Sequence, residues 1–398
     1  MCGMSTLDKK YHSFSTPSGS TFGEAEDMLF SFLRQKTAQG ERLVKVHIGI
    51  ASLPEDFVCL DEFQRHMDNR LQSLFPERNP AVTVVCQKPL QGGPLNAEVW
   101  SVSEKDCAVK SFRLEGLTHV CVEKEGFREW WTSGFQADYD KNEPLCAEAC
   151  ARRCFEKLSR FLTYTDTSFD AVFRQWNYIG HILKVRVTDG KTLQNYQVFN
   201  EVRGIFYETK KDKSQYPAAT GIGMDYEGIC IDAVIVDDTE ATKGKAPRNT
   251  ALRSPVQTDA FRYEQAYLVG NEEIDKKAPL FERGRCLILS ETPEEGGTRA
   301  VGMVSGTASI KGQDTIDKGD VVKQLQNTLR FIDELANTIK AENLRFDRAR
   351  LYVKPNENTE SLSEIFRLHY PQASCLSIVE ADVCRPDLLV EIEADFSF

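Results

Sequence analysis

The sequence predicts an α+β protein made of three diverged copies of one small α/β sandwich unit, with any functional cleft lying where copies meet. Three observations predict it. The order strand, helix, strand, strand recurs three times, a similar proline phrase sits between helix and strand in each recurrence, and 398 residues exceed what one ordinary core holds. Several packed units of roughly 150 residues or fewer are therefore expected.

The first copy reads as a strand over 43–50, an amphipathic helix over 60–75, and strands over 80–87 and 95–102. In the second copy the same order runs over 169–182, 196–207, 216–224 and 228–236; in the third, over 348–353, 362–370, 371–380 and 387–394. Asn79-Pro80-Ala81-Val82-Thr83, Tyr216-Pro217-Ala218-Ala219-Thr220 and Tyr370-Pro371-Gln372-Ala373-Ser374 set the register. Proline in each stops the helix and presets an extended chain.

A front half precedes the later copies. Residues 301–310 read as a strand containing Ser305-Gly306-Thr307, followed by a helix near 320–340 with Val322, Leu325, Leu329, Ile332, Leu335 and Ile339 at helical spacing. In the second copy the corresponding pieces are 118–134 and a helix near 145–162, while the first copy is abbreviated to a helix around 22–34. The boundaries that follow are 1–105, 106–240, a linker and cleft loop over 241–280, and 281–398. Residues 237–253, charged and poor in apolar side chains, read as a mobile surface loop placed to cover a cleft.

Composition excludes several functions. Hydrophobic residues at 41% and charged residues at 27% are globular values, and a net charge of -11 argues against nucleic acid as a partner. The opening MCGMSTLDKK has no basic segment before an apolar run, and no stretch approaches the roughly 18 apolar residues of a membrane span, so a cytoplasmic protein is expected. The 12 cysteines include no CxxC pair and read as reduced thiols. Cys146, Cys150 and Cys154 form one helical stripe, which lacks the paired spacing of zinc sites. Gly221, Gly223 and Gly228 do not make a dinucleotide loop, the 6 histidines form no paired motif, and His47 reads as a core or edge residue.

The third copy, with GMVSGTASI at 302–310, DVVKQLQNTLRFIDEL at 320–335 and LLVEIEADF at 388–396, resembles the RidA/YjgF family. That fold is chorismate-mutase-like, and the family forms trimers with clefts at subunit interfaces. The resemblance thus implies that three copies in one chain make an intramolecular pseudo-trimer, monomeric or associating further. Four phrases, RQWNYIG at 174–180, YQVFNEVR at 196–203, YPAATGIG at 216–223 and CRPDLLVEIE at 384–393, together resemble chorismatases. Enzymes of that family release pyruvate from chorismate without metal or organic cofactor. The chain departs from them at Ser254-Pro255-Val256-Gln257, where the family usually has Asn-Pro-Arg-Gln, and shows no aromatic-glycine-proline phrase over 263–279.

The chemistry implied is cleavage of an enol ether, limited by protonation of its terminal methylene carbon. A strong, positioned acid is needed. A glutamate facing a largely apolar cleft serves, since desolvation keeps it protonated near neutral pH. The resemblance points to Glu391; pattern alone leaves Glu391 and Glu393, which share a strand face, as solvated edge carboxylates. A small anionic, chorismate-like substrate with two carboxylates needs arginines, and Arg174, Arg203 and Arg385 lie inside the matching phrases. Tyr178, Tyr207 and Tyr216 are candidate hydroxyl donors, and Cys384 resembles the cysteine of chorismatases that make 3-hydroxybenzoate, with a buried thiol as the plain alternative. Two other functions stay open. A RidA-like imine or enamine deaminase would want an arginine where this chain has Val82, Ala219 or Ser374, and an inactive carboxylate binder is consistent with Val256.

Overall fold

In the computed structural model, which describes residues 9–398 except 106, 125, 138–145, 189–190, 211–214, 239–247, 271–274, 293–296, 340–342, 356 and 358, each repeat builds its own sheet. The first comprises β1 (Lys10–Ser15), α1 (Phe22–Ala38), β2 (Arg42–Ile50), α2 (Leu60–Leu74), β3 (Ala81–Cys86) and β4 (Leu95–Val102), with strand order β1-β4-β2-β3. Thr21 and Glu24 close a reciprocal capping box that starts α1, satisfying backbone N–H groups the first turn leaves unpaired. This repeat is less abbreviated than expected. The short, alternating stretch that forms β1 lies outside the repeated pattern, and only its pairing with β4 shows it as a strand.

The second repeat runs β5 (Ala108–Leu114), β6 (Leu117–Lys124), β7 (Phe127–Trp131), β8 (Phe135–Gln136), α3 (Ala147–Tyr164), β9 (Val172–Gly180), β10 (Val185–Thr188), β11 (Lys191–Gln194), α4 (Asn195–Tyr207), β12 (Ala218–Met224) and β13 (Ile229–Asp238). Its sheet is ordered β12-β9-β13-β7-β6-β5, with β8 on β13 and a separate β10-β11 hairpin. The front half expected over 118–134 is built from β6, β7 and the turn between them.

The third repeat runs β14 (Arg248–Leu252), β15 (Gly284–Thr292), β16 (Gly297–Ala308), β17 (Ile310–Lys311), β18 (Asp314–Thr315), α5 (Val321–Ala336), β19 (Arg345–Val353), α6 (Glu360–His369), β20 (Cys375–Glu380) and β21 (Val390–Ser397). Its sheet is ordered β14-β15-β16-β21-β19-β20. Of the loop expected over 237–253, residues 248–252 are therefore a strand on β15, and 239–247 lie outside the described residues. In every repeat the first helix joins a front strand to the central strand, and the last strand lies antiparallel between those two.

Helices cover one sheet face in each repeat. Leu325, Leu329, Ile332 and Leu335 of α5 are buried against Leu351, Ile392 and Phe396, while Phe155, Leu158, Phe161 and Leu162 of α3 meet Ile179 and Ile231. A continuous core that draws residues from all three repeats, among them Val46, Trp176 and Tyr352, fills the other side. No helix of the described residues is long and apolar enough to cross a membrane.

The ladders give the three repeats a common register. Lys45, Arg174 and Arg348 hold equivalent places, each opening the parallel pairing of central strand with next strand, opposite Ala81, Ala218 and Cys375. Two residues on, His47, Trp176 and Arg350 face Glu98, Asp232 and Glu393 across the antiparallel ladder. The ion pairs then close a cycle between repeats. Lys45 reaches Asp232 of the second repeat at 2.7 Å, Arg174 reaches Glu393 of the third at 2.8 Å, and Arg348 returns to Glu98 of the first. Arg348 also bonds Glu393 at 2.6 Å, and Arg350 bonds Glu98 at 2.5 Å. Buried charge survives only when paired and hydrogen-bonded, so this cycle ties the order of the repeats to their docking. His47 is buried beside it, 5.3 Å from the Tyr178 ring; burial, reinforced by Arg350, Lys45 and Arg348, holds its imidazole well below the usual range.

Candidate active site

Equivalent positions at the three inter-repeat junctions show which of them is open. Asn96, Cys230 and Glu391 correspond, each lying two residues before the cyclic carboxylate on its last strand. At the junction of the third repeat with the first, Asn96 Nδ2 donates to Ser377 Oγ at 2.8 Å. Where the first meets the second, the Gln64 amide fills the space beside Cys230, donating to Gly134 O at 2.6 Å and accepting from Val84 N at 3.1 Å. Both places are thus occupied by neutral, hydrogen-bonded side chains. At the junction of the second and third repeats the equivalent position is instead a carboxyl group, Glu391, which lines an open cleft of about 660 Å³.

The walls of that cleft come from distant segments. α4 and β11 bring Tyr196, Gln197 and Gln194, β12 brings Ala219 and Gly221, and residues 263–283 bring Tyr263, Tyr267, Phe281 and Arg283. β16 adds Gly306 and Ala308, and the turn into β21 adds Cys384 and Arg385 ahead of Glu391. Glycine allows a close approach at two of these places. A Cβ on Gly221 would stand 2.8 Å from the Tyr196 ring, and one on Gly306 would overlap Glu391 Oε1.

Glu391 is 5% exposed, and among the described residues its carboxyl group has no hydrogen-bond donor. Burial first, and the neighbouring Glu393 charge second, raise it to about 8, while Arg283 and Arg174 pull the other way. Burial and the Glu393 charge both favour its neutral, protonated form. Glu393, two residues on, has the opposite fate: although burial opposes ionisation, Arg348, Arg174 and Arg350 hold it well below the usual carboxylate range. It accepts from Arg348, Arg174, Trp176 Nε1 at 3.0 Å and Thr220 Oγ1 at 2.8 Å.

Three arginines surround the cleft with no carboxylate partner among the described residues. Arg283 donates through Nη2 to Thr258 O at 2.8 Å and to the Tyr263 hydroxyl at 2.6 Å, leaving its buried Nε unpartnered. Arg385 donates to Gln313 O at 2.6 Å and lies over the Tyr263 and Tyr267 rings, 5.4 and 5.8 Å from their centroids. Arg203 sits behind Tyr196, between the rings of Tyr207 and Phe281, with Nε and Nη2 buried and unpartnered; burial lowers its guanidinium from the usual value. Uncompensated buried guanidinium is costly, so the arrangement calls for an anion. Gln194 Oε1, buried and unpaired on the same wall, offers an acceptor for a hydroxyl.

The sequence-predicted residues divide between cleft and interior. Glu391, Cys384 and Arg385 line the cleft, and Arg203 stands behind its wall. Arg174 does not line it: 1% exposed, its Nη2 donates to Glu393 and to Thr220 Oγ1 at 2.5 Å, and its Nη1 is buried without a partner. Tyr178 is interior too, its hydroxyl accepting from Arg350 at 2.8 Å. Tyr207 donates to Gln175 Oε1 at 2.5 Å, and the Tyr216 ring packs 6.2 Å from Tyr207 and 5.2 Å from Phe261. Burial pushes the Cys384 thiol up to about 12, with Glu391 adding to the effect, so it is a neutral wall group rather than a thiolate. Val256 lies away from the lining. Arg283, Tyr196, Tyr263 and Tyr267 were not anticipated. Tyr196 opens the YQVFNEVR phrase at 196–203, whereas 254–283 has no period from which its side chains could be placed. Cys146 caps α3 through Ala149 N, and Cys150 and Cys154 are buried beneath that helix.

Residues 122–234 match the family described as chorismatase FkbO/Hyg5-like, N-terminal. The chain is 29% identical over 249 residues to a 3-hydroxybenzoate synthase of Streptomyces hygroscopicus, covering 60% of this chain and 65% of that protein. It is 30% identical over 234 residues to a chorismatase of the same organism, covering 55% of this chain and 60% of the other. These matches thus span less than two thirds of the relatives' length. A crystal structure of a chorismatase superposes with a TM-score of 0.65 at 18% identity, covering 99% of both chains, which establishes likeness of fold. The chain is similar to chorismatases in sequence and in architecture.

Proposed function

We propose, with that similarity as the premise, that the chain cleaves the enolpyruvyl ether of chorismate or a closely related dicarboxylate and releases pyruvate. The observation that carries this reading is a buried, donor-free Glu391, raised to about 8, lining a cleft with Arg283 and Arg385 and with Arg203 behind its wall, none of the three with a carboxylate partner among the described residues. Two substrate carboxylates would supply the missing anions, each charge-assisted hydrogen bond contributing roughly 1.5–3 kcal/mol. Glu391 then gives its proton to the terminal methylene carbon, water adds to the resulting cationic carbon, and the adduct collapses to pyruvate and the ring alcohol. A cytoplasmic protein that needs no second copy to complete its cleft fits this reading, since both walls come from one chain.

A deaminase finds no support in the geometry. Val82 and Ala219 are buried strand residues and Ser374 donates to Asp347 O, so no arginine occupies the place that chemistry would use. The test is incubation of the purified protein with chorismate while pyruvate is followed. Release above background, lost by about 10²- to 10⁴-fold in Glu391→Gln with binding of a benzoate retained, supports the reading. Binding without release in the unaltered protein would leave a carboxylate binder instead.

A further inference from the structure

Gly306 lies where the pairing of β16 with β21 shifts register, between Val304 and Thr307. Such irregularities turn a backbone group out of the ladder. Here the Gly306 N–H donates at 3.0 Å to Thr220 Oγ1, in the second repeat. The same hydroxyl donates to Glu393 Oε2 at 2.8 Å and accepts from Arg174 Nη2 at 2.5 Å. A hydroxyl has one proton to give and two lone pairs to fill, so all three are committed and its rotation is fixed. On its other side Gly306 is pressed against the Glu391 carboxyl so closely that a Cβ would collide with it, while that Cβ would stand 3.1 Å from Thr220 Cγ2.

The equivalent junction is built differently. Ser133 and Gly134 correspond to Ser305 and Gly306, since Ser133 Oγ accepts from Val82 N at 2.7 Å as Ser305 Oγ accepts from Ala219 N at 2.8 Å. Yet Gly134 N donates to the Val82 carbonyl, and Thr83, the counterpart of Thr220, takes no glycine N–H there. The handover of a glycine N–H to threonine occurs, among the described residues, at the junction that bears the acid.

We propose that Thr220 is a positioning residue: held by the axial ion cluster, its hydroxyl captures the Gly306 N–H, withholding that donor from the adjacent Glu391 carboxyl so that Glu391 stays a proton donor. This rests on the role proposed for Glu391. The other groups facing Glu391 are Glu393 on its own strand, Tyr352 on β19, Arg174 on β9, Tyr196 on α4, Arg283 and Arg385 on the cleft walls, and Cys384; none donates a hydrogen bond to it among the described residues. Freed from Thr220, the Gly306 N–H, on a residue packed against the Glu391 carboxyl, would be available to it and would favour its ionised form.

The experiment compares Thr220→Val with Thr220→Ser in the full chain. Infrared titration reports the Glu391 carboxyl, identified by its disappearance in Glu391→Gln. Thr220→Val is expected to lower its midpoint by about one pH unit or more, and Thr220→Ser to restore it. In turnover, a one-unit shift is expected to reduce kcat of Thr220→Val about twofold near pH 7 and about fivefold near pH 8 with little change in KM, the signature of lost proton delivery rather than lost binding. If Thr220→Val does not fold, Thr220→Ala removes the same hydroxyl. An unchanged midpoint in the hydroxyl-less variant, or Thr220→Ser shifted as far as it, would overturn the proposal. Should the unaltered protein release no pyruvate, the functional reading fails while the titration still decides the role of Thr220.

Discussion

Glu391 and Glu393 share one strand and one face, yet the structure places them in two electrostatic regions. Around the axis, Glu393 meets three arginines, a tryptophan N–H and a threonine hydroxyl, and is held ionised. In the cleft, Glu391 has no donor among the described residues and its neutral form is favoured, while the nearby arginines bond only neutral groups and leave Arg283 Nε and Arg203 Nε and Nη2 unpartnered. The lesson is one of allocation. Charge pairs that hold the repeats together are closed, and charges facing the cleft are left open for a ligand.

The largest expected break in this contrast is Glu393→Gln. Removing this member of a buried ion network strands Arg174 and leaves Arg348 and Arg350 with Glu98, and a loss of about 3–5 kcal/mol in unfolding free energy is expected from denaturant titration. Glu391→Gln, by contrast, should cost little stability, because a neutral carboxyl is exchanged for a neutral amide. Equal destabilisation by the two would erase the distinction.

Next in size are the cleft arginines. Arg283→Met and Arg385→Met should each weaken binding of a benzoate or the substrate by about ten- to a hundredfold, the equivalent of roughly 1.5–3 kcal/mol, with kcat less affected. Arg174→Met should instead appear as lost stability. Calorimetric binding set beside thermal unfolding separates the two groups, and a binding defect without a stability defect in Arg174→Met would contradict the assignment.

Smallest at any one step of pH, though it accumulates over several units, is the pH dependence of stability. Glu391 is raised to about 8, so between its ordinary value and that point the unfolded chain has released a proton that the native protein keeps. Stability contributed through this group therefore falls as pH rises, by at most about 1.4 kcal/mol per pH unit, and levels off above about 8. Glu391→Gln should flatten that slope relative to the unaltered protein; an unaltered slope would show that Glu391 is already ionised near pH 5.

The repeats, the central strands and the strand carrying Glu391 were legible because strand and helix periods survive in local sequence. The period of two also placed Glu391 and Glu393 on one face. It could not separate their fates, since Arg174, which secures Glu393, comes from another repeat more than two hundred residues earlier. Arg174 and Tyr178 stood out within a matching phrase, but the phrase marks the axis as well as the cleft. Arg283, Tyr263 and Tyr267 lie in a segment of short turns without periodicity, so their convergence on Arg385 emerges only from tertiary packing.

Carboxyl-carbon NMR titration of glutamate-labelled protein, assigned with Glu391→Gln and Glu393→Gln, tests the central claim most directly. The account predicts one glutamate that remains protonated at pH 7 and titrates near 8, missing in Glu391→Gln. Finding Glu391 ionised throughout the neutral range, like Glu393, would contradict it.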